Sequence, residues 1–373
     1  MLDTLRSCRA AFTEQAGFLY AAAVLRIGYG LLYLVFLLRE FPHRDEIWGP
    51  GSPWTPALAN ELFMQTGWSS ILTLYPGRPY FEACYALALV TSVLFMLGWR
   101  TRFVSVAFAV IVVSLHARTI FMTDGGDNLI LLMSVYLCFT ACGRRWSLDA
   151  RKHRLHSGAA GTGLPSLAEI SSRWHQLGIT RRRLVTLIHN CGMLVIAAQI
   201  CLLYGAAGLY KVQGSFWADG TALHYVLNLD LFRPWPALSA MVDRQPTFLT
   251  VVGYLTVLIQ VAFPCLLFSR VKYALLPMLL GMHLGIAVLM GLPYFSASMI
   301  VADAVFLPDR FYISLGRLLR RKGDRDADGR LGAAVPPKGS LLPSQPRPAD
   351  CGQVSQDASG ADRRPVTGSA PPP

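Results

Sequence analysis

Long apolar runs separated by shorter polar connections dominate the pattern of this chain. Eight of these runs are predicted to be membrane-crossing helices, at about 18–38, 80–98, 103–122, 127–142, 184–210, 247–268, 271–290 and 293–307. A bilayer core of about 30 Å requires roughly 20 apolar residues in a helix. The runs 127–142 and 293–307 are shorter, so we expect them to borrow flanking residues or to tilt their neighbours. The pattern predicts an all-α, polytopic membrane bundle.

Composition supports the membrane prediction. Hydrophobic residues make up 53% of the 373 residues and charged residues only 15%, with a mean hydropathy of +0.40. A soluble domain would carry about 25% charged residues. The eight cysteines lie mostly in apolar runs, and no histidine and cysteine cluster has the spacing of a metal site. We therefore predict neither a disulfide framework nor a bound metal.

Basic residues concentrate in particular connections. The net charge is +12, with nine Lys or Arg in 143–183 and eleven from 308 onwards. The positive-inside rule then predicts a protein of the cell membrane with a cytoplasmic N-terminal segment 1–17, a cytoplasmic basic loop 143–183 and a cytoplasmic tail 311–373. The tail is predicted to be disordered from about 323. No recognition motif accompanies the charge, so the expected partner is the lipid bilayer and not nucleic acid.

The connections predicted to face outward are amphipathic. Loops 39–79 and 211–246 are predicted to face outward. Loop 39–79 is rich in Trp, Pro and Gly, and residues 214–236 look similar, which favours a position at the outer interface. The spacing of Ala222, Leu223, Val226 and Leu227 predicts a short interfacial helix. Segment 157–172 is predicted to be a cytoplasmic linker.

Ionisable residues within apolar runs are costly and mark candidate functional sites. Lys211, Asp127, His116 and His283 are all predicted to lie in the outward half of the bilayer. Each has a structural alternative, because a helix-end lysine often reaches water and Asp127 is a plausible N-cap. The two histidines could simply hydrogen-bond neighbouring helices.

Two further charges are predicted to lie within spans, Arg26 in the first and Asp303 in the last. Arg26 is about 12 Å into its helix at 1.5 Å per residue, so it needs a partner. An Arg26–Asp303 ion pair is one such arrangement, and supporting the bundle is as good an interpretation of Arg26 as a role in binding.

Several blocks occur in an order that resembles a known family. They are LRIGYGLL with Arg26, MLGWRTR after the second run, GGDN followed by RRWSLD, AQICLLYGAAGLYKVQGSFWADGTALHY and HLGIAVLMGLPYF. Over roughly 18–310, the chain resembles the horizontally transferred transmembrane (HTTM) domain family, which is related to the transmembrane part of vitamin K-dependent gamma-glutamyl carboxylase. The resemblance implies a membrane bundle with a polar pocket, which we expect His116, Arg26, Trp217, Tyr225 and Phe295 to line.

The resemblance also implies a chemistry. In the carboxylase, a lysine in the block that matches AGLYK is thought to deprotonate vitamin K hydroquinone, and the matching residue here is Lys211. Asp127 and His283 would assist, and a quinone-like lipid would be the cofactor. Two differences argue against glutamate carboxylation itself: Asp127 stands where the family has a histidine, and the large lumenal region of the animal enzyme has no counterpart.

Three functions therefore remain open from the sequence. The chain is predicted to handle a secreted peptide as a maturation component or membrane partner, as related membrane domains do in peptide-export systems. The first alternative is a membrane enzyme that uses Lys211 as a base on a quinone-like or lipophilic substrate. The second is a small-solute transporter or channel.

Overall fold

The computed structural model describes residues 12–159, 171–267 and 269–318, and it describes side chains in these ranges except at 157–159 and 171–175. Within these ranges the chain forms helices and turns without any strand, which confirms the predicted all-α class. They belong to a unit that ends at Leu318. The predicted disordered tail from about 323 and residues 1–11 of the predicted N-terminal segment lie outside the described residues.

The helices follow one another closely along the chain. In order they are α1 (Leu19–Arg39), α2 (Arg44–Ile47), α3 (Pro56–Thr66), α4 (Arg78–Leu97), α5 (Thr101–Arg118), α6 (Gly125–Cys138), α7 (Leu148–Ala159), α8 (Ser171–Gln213), α9 (Ser215–Ala218), α10 (Ala222–Asn228), α11 (Pro236–Asp243), α12 (Pro246–Leu266), α13 (Lys272–Leu289) and α14 (Pro293–Asp303). Single 3-10 turns cover Phe41–His43, Ile71–Thr73, Asp230–Phe232 and Ala304–Phe306. Residues 309–318 are helical again.

Six of these helices are long and apolar enough to cross a membrane: α1, α4, α5, residues Gln176–Gln213 of α8, α12 and α13. The two runs that the sequence marked as short are indeed the shorter apolar helices, Gly125–Cys138 and Pro293–Phe306. At 1.5 Å per residue, the 14 residues of α6 span about 21 Å. Each predicted run thus corresponds to one helix, but only six helices reach full length.

The predicted boundaries were wrong in the connections. The third run was predicted to end at 122, yet α5 ends at Arg118, and α6 ends at Cys138 instead of 142. The fifth run was predicted to begin at 184, yet α8 begins at Ser171 and continues through the basic residues at 181–183. Arginine is a good helix former, so the loss of hydrophobicity did not end the helix. Of the predicted linker 157–172, residues 157–159 end α7 and 171–172 begin α8.

The short helix α14 lies at the centre of the packing, where it contacts α1, α6 and α13. Small residues let α1 approach its neighbours closely, since Ala21, Ala22 and Ala23 are fully buried. At Gly30, an added Cβ would lie 3.0 Å from the backbone of Met96 in α4. The core is therefore built on backbone proximity around α1 and α14.

The block RRWSLD closes one end of the bundle. The Asp149 carboxylate accepts hydrogen bonds from the backbone N–H groups of Arg100 (2.9 Å) and Thr101 (2.7 Å) and from the Thr101 hydroxyl (2.6 Å), which caps α5. Arg26 is fully buried at this end and donates to the carbonyl of Trp146 at 2.6 Å. This block is thus explained by helix capping and chain anchoring.

Candidate functional site

An apolar cavity of about 620 Å³ lies among α8, α10, α12 and α13. We call it the lysine cavity, because Lys211 lines it together with Trp217, Gln260 and His283. Most of its other lining side chains are leucine, isoleucine, valine and methionine. Its volume falls in the range of small-molecule sites, which combine apolar walls with a few polar groups.

Lys211 has few polar partners in this cavity. Its Nζ donates to the carbonyl of Ala207, one turn earlier in α8, at 3.3 Å. The same nitrogen lies 5.3 Å from the centre of the Trp217 ring, a cation–π distance. In the described part of the chain, no carboxylate lies within ion-pair distance of Lys211. The positive charge is therefore not balanced by the protein around it.

A buried hydrogen-bonded triad lies beside the cavity. The Tyr204 hydroxyl of α8 donates to Asp303 Oδ2 of α14 at 2.9 Å and lies 2.9 Å from His283 Nε2 of α13. Since the hydroxyl has one proton, which goes to Asp303, Nε2 of His283 donates to the hydroxyl oxygen. The other polar atoms, His283 Nδ1 and Asp303 Oδ1, have no hydrogen-bond partner in the described residues. The triad joins three helices through one tyrosine.

Gln260 adds a second hydrogen-bonding group to the wall of the lysine cavity. It is 7% exposed, its Nε2 lies 3.7 Å from the Met282 sulfur, and its Oε1 has no partner in the described residues. A buried amide oxygen without a donor is costly. The unused acceptor is available to a ligand with an O–H or N–H group.

Asp127 and His116, predicted to share the outward half with Lys211, line a different cavity. This second cavity has a volume of about 340 Å³ and lies between the ends of α1, α5, α6 and α14. We call it the aspartate cavity, because Asp124 and Asp127 line it. The N-cap of α6 is Asp124, whereas Asp127 is the third helical residue of the same capping box. Asp127 is therefore not the N-cap.

The remaining predicted pocket residues fall in different places. Phe295 lines both cavities, and its ring centroid lies 6.0 Å from that of His283. Tyr225 is 51% exposed and packs against Phe216, outside both cavities. Arg26 lies beside the RRWSLD block, bonded to Trp146, and makes no ion pair with Asp303. The suggested Arg26–Asp303 pair was wrong, because Tyr204 holds the Asp303 carboxylate.

Sequence reasoning missed Tyr204 and Gln260, although each left a signal. Tyr204 precedes Lys211 by seven residues, which places both on one face of α8. Gln260 is a polar residue in the apolar helix α12, and such residues mark functional sites in membranes. Helical spacing from Lys211 would have found the tyrosine, but no pattern could show that it meets Asp303.

A polar cluster pins the helices that border the lysine cavity. The Asp243 carboxylate of α11 accepts from Asn228 Nδ2 of α10 at 3.1 Å and lies 2.6 Å from His224 Nδ1. The hydrogen bond from Asn228, together with that of His224, lowers the pKa of Asp243 below its usual value. Leu223 of α10 and Val242 of α11 line the lysine cavity. The cluster thus fixes one wall of the binding space.

We expect the wall of the lysine cavity formed by α10 and α11 to lose stability in acid. A carboxylate whose pKa is lowered on folding stabilises the fold above its unfolded pKa of about 3.9, and this stabilisation is lost as the pH falls through the folded pKa. After correction for the intrinsic exchange rates, acidification from pH 5 to pH 3 should therefore lower the hydrogen-exchange protection across 222–243 in the wild type more than in Asp243→Asn. Asp219→Asn, an exposed aspartate in the same connection, serves as control. Equal acid sensitivity of wild type and Asp243→Asn would contradict the prediction.

The lysine cavity combines apolar walls with an amine, an amide oxygen and an imidazole, which suits a lipophilic molecule with one polar end. Among the described side chains, no three His, Cys, Asp or Glu residues converge on a point that could hold a metal ion. Comparisons with protein-family models, with curated proteins and with solved structures found no match for this chain, so its resemblance to the carboxylase-like family stays a prediction.

Proposed function

We propose that the chain is a multi-pass membrane protein that binds a lipophilic molecule with an acidic head group, a carboxylic acid or a hydroquinone, in the lysine cavity. Lys211 would bind the head group, Gln260 Oε1 would accept a hydrogen bond from its O–H group where one is present, and the apolar walls would hold the hydrocarbon part. The single observation that carries this proposal is that Lys211 lines a largely apolar cavity without a carboxylate partner among the described residues.

Charge balance is the physical reason. An ammonium in apolar surroundings is costly when only a backbone carbonyl and an aromatic face accompany it. Asp127 lines the other cavity and makes no ion pair with Lys211, so no carboxylate among the described residues competes for the amine. An anionic or acidic head group would supply the missing partner, with a charge-assisted hydrogen bond of about 1.5–3 kcal/mol.

Access from lipid is the second support. The helices α12 and α13, which border the cavity, expose apolar side chains on their outer faces, including Val251, Leu258, Leu284 and Val288. Such faces suit contact with acyl chains. A lipophilic ligand could then enter between these helices without crossing water.

We infer eight crossings with both termini in the cytoplasm. The six long helices supply six crossings, and α6 and α14 would supply two short ones in the interior, where α1 and α13 shield parts of them from lipid. The concentration of Lys and Arg in 143–183 supports the orientation. The two cavities would then lie toward the outer side of the membrane.

The resemblance to the carboxylase-like family implies a reaction for the lysine cavity. If the bound molecule is a hydroquinone, the match of Lys211 to the carboxylase lysine assigns it the removal of the hydroxyl proton. The proton would pass from the oxygen to Nζ of the neutral amine, and the resulting ammonium would pair with the hydroquinone anion. His283, whose Nε2 is hydrogen-bonded to the Tyr204 hydroxyl, would lie beside the bound hydroquinone in the wall of the lysine cavity. The other two predicted functions, a secreted-peptide partner and a small-solute transporter, stay predictions, since no feature of the described residues favours either.

Replacing Lys211 by methionine should weaken binding of an acidic lipid. Purified protein in mild detergent would be titrated with oleate, with methyl oleate and with a long-chain alkyl hydroquinone. We expect Lys211→Met to lower the affinity for oleate or for the hydroquinone about 10-fold, which corresponds to about 1.4 kcal/mol. Binding of methyl oleate should change little, because the ester has no acidic group.

Lys272→Met is the matched control, since Lys272 lies at the start of α13 and does not line the lysine cavity. The two acidic probes distinguish a carboxylate site from a hydroquinone site. If Lys211→Met bound both acidic probes as tightly as the wild type and Lys272→Met, the proposal would be wrong. Mass spectrometry of lipids that co-purify with wild type but not with Lys211→Met would identify the natural ligand.

A further inference from the structure

An aromatic cluster lines the aspartate cavity. The Phe36 ring lies 5.1 Å from Tyr294 in a stacked arrangement, 5.7 Å from Trp48 edge-on and 5.8 Å from Tyr33, measured between ring centroids. All four side chains border the cavity. Aromatic faces carry partial negative charge and attract cations, above all alkylammonium groups held within an aromatic cage.

Carboxylates border the same space. Glu40, Asp124 and Asp127 line the cavity, whereas Arg39 is the one Lys or Arg side chain among its lining residues. Arg39 Nε lies 2.6 Å from Glu40 Oε1, so these two charges largely offset each other. Asp124 and Asp127 make no ion pair in the described residues, although Arg39 acts on Asp127 at longer range. The cavity therefore has an excess of negative charge.

The capping box occupies only one oxygen of each of the two aspartate carboxylates. Asp124 Oδ1 accepts from the backbone N–H groups of Gly126 and Asp127, and Asp127 Oδ2 accepts from that of Asp124. Asp124 Oδ2 and Asp127 Oδ1 accept no hydrogen bond from the described residues. The N-terminus of α6 offsets only about half a charge. Asp124 is exposed to solvent, whereas the half-buried Asp127 keeps most of its charge without an ion-pair partner among the described residues.

Buried polar atoms without partners give an independent sign of a missing ligand. Trp48 is 2% exposed, and its Nε1 has no hydrogen-bond partner in the described residues. The Tyr294 hydroxyl is likewise buried without a partner. Trp48, Tyr294 and Asp127 all line the aspartate cavity, so these groups border one space. Buried polar groups are normally satisfied, and a bound molecule would satisfy these.

From these observations, we propose that the aspartate cavity is a second binding site, which takes a small organic cation of the alkylammonium class. The aromatic rings would surround the cationic group, Asp127 and Asp124 would balance its charge, and Trp48 Nε1 and the Tyr294 hydroxyl would bind a polar substituent. A metal ion fits less well, because no three metal-ligating side chains converge among the described residues. The volume of about 340 Å³ limits the ligand to a small molecule.

Choline, ethylammonium and the neutral choline analogue 3,3-dimethyl-1-butanol would test this site. Titration calorimetry on the purified full-length protein should show saturable binding of choline or ethylammonium and none of the neutral alcohol, because the attraction depends on the positive charge. Asp127→Asn should weaken the binding at least 10-fold. It keeps an oxygen for the capping box, so the start of α6 is preserved. Trp48→Leu should weaken choline binding by a similar factor.

Lys211→Met is the matched control, since it alters the other cavity and should leave ammonium binding unchanged. This also separates the proposal from that for the lysine cavity, because each variant affects one ligand class only. The proposal would be overturned if neither ammonium ion bound saturably, or if the neutral alcohol bound as tightly as choline. Ammonium binding unchanged in both Asp127→Asn and Trp48→Leu would overturn it as well.

Discussion

Substitution of Gly98 by alanine is expected to destabilise the protein by about 3 kcal/mol or more. Gly98 ends α4 with φ of +72°, a conformation that costs an L-residue about 1–2 kcal/mol. An added Cβ would lie 1.5 Å from Arg26 Nη1 and 2.5 Å from Ser147 Cβ. Arg26 is fully buried and held by Trp146, so it has little room to move. Thermal or denaturant unfolding in detergent would measure the loss.

Gly67→Ala is a matched control for the conformational part of this effect. Gly67 also ends a helix, with φ of +75°, but an added Cβ there would meet nothing within 4 Å. We expect it to cost only about 1 kcal/mol. The difference between the two variants measures the clash with Arg26, and Arg26→Ala should relieve part of it in the double variant. Equal losses for Gly98→Ala and Gly67→Ala would show that the buried arginine does not fill this space.

Replacing Tyr204 by phenylalanine is expected to cost about 2–4 kcal/mol. The hydroxyl is the shared partner of His283 and Asp303, at 2.9 Å from each. His283 is 2% exposed and Asp303 is 8% exposed, so neither can turn to water without rearrangement. Removal of one partner leaves the full desolvation cost of the groups that remain. Unfolding of the variant in detergent gives the measurement.

Tyr29→Phe serves as the control for the loss of a buried tyrosine hydroxyl. Tyr29 is fully buried and makes a single hydrogen bond, of 3.1 Å, to the carbonyl of Ser298. A loss of about 1 kcal/mol is expected there. Adding Asp303→Leu to Tyr204→Phe should recover stability, because it removes the unpaired carboxyl group. If Tyr204→Phe were no more harmful than Tyr29→Phe, the triad would contribute no more than one ordinary hydrogen bond.

The site residues that the sequence predicted to share one pocket lie in two separate cavities. Lys211 and His283 border one space, whereas Asp127 and His116 border another, with Phe295 between them. Depth in a bilayer can be counted along a helix at 1.5 Å per residue. The direction in which a helix faces its neighbours cannot be counted in this way. Four residues at similar predicted depth therefore fell on two sides of the same aromatic side chain.

The sequence by itself determined the helical class and the position of each apolar helix, because hydrophobic runs and their length report directly on local helix formation and burial. It also determined that α6 and α14 are short and that Lys211 ends an apolar segment. Only the tertiary structure decided which polar groups meet: Tyr204 with His283 and Asp303, and Asp127 with the aromatic cluster. Those contacts depend on the rotation of each helix about its axis and on the angles at which helices cross, which arise from packing among residues far apart in the chain. Hydrophobicity along one helix has no information about that packing.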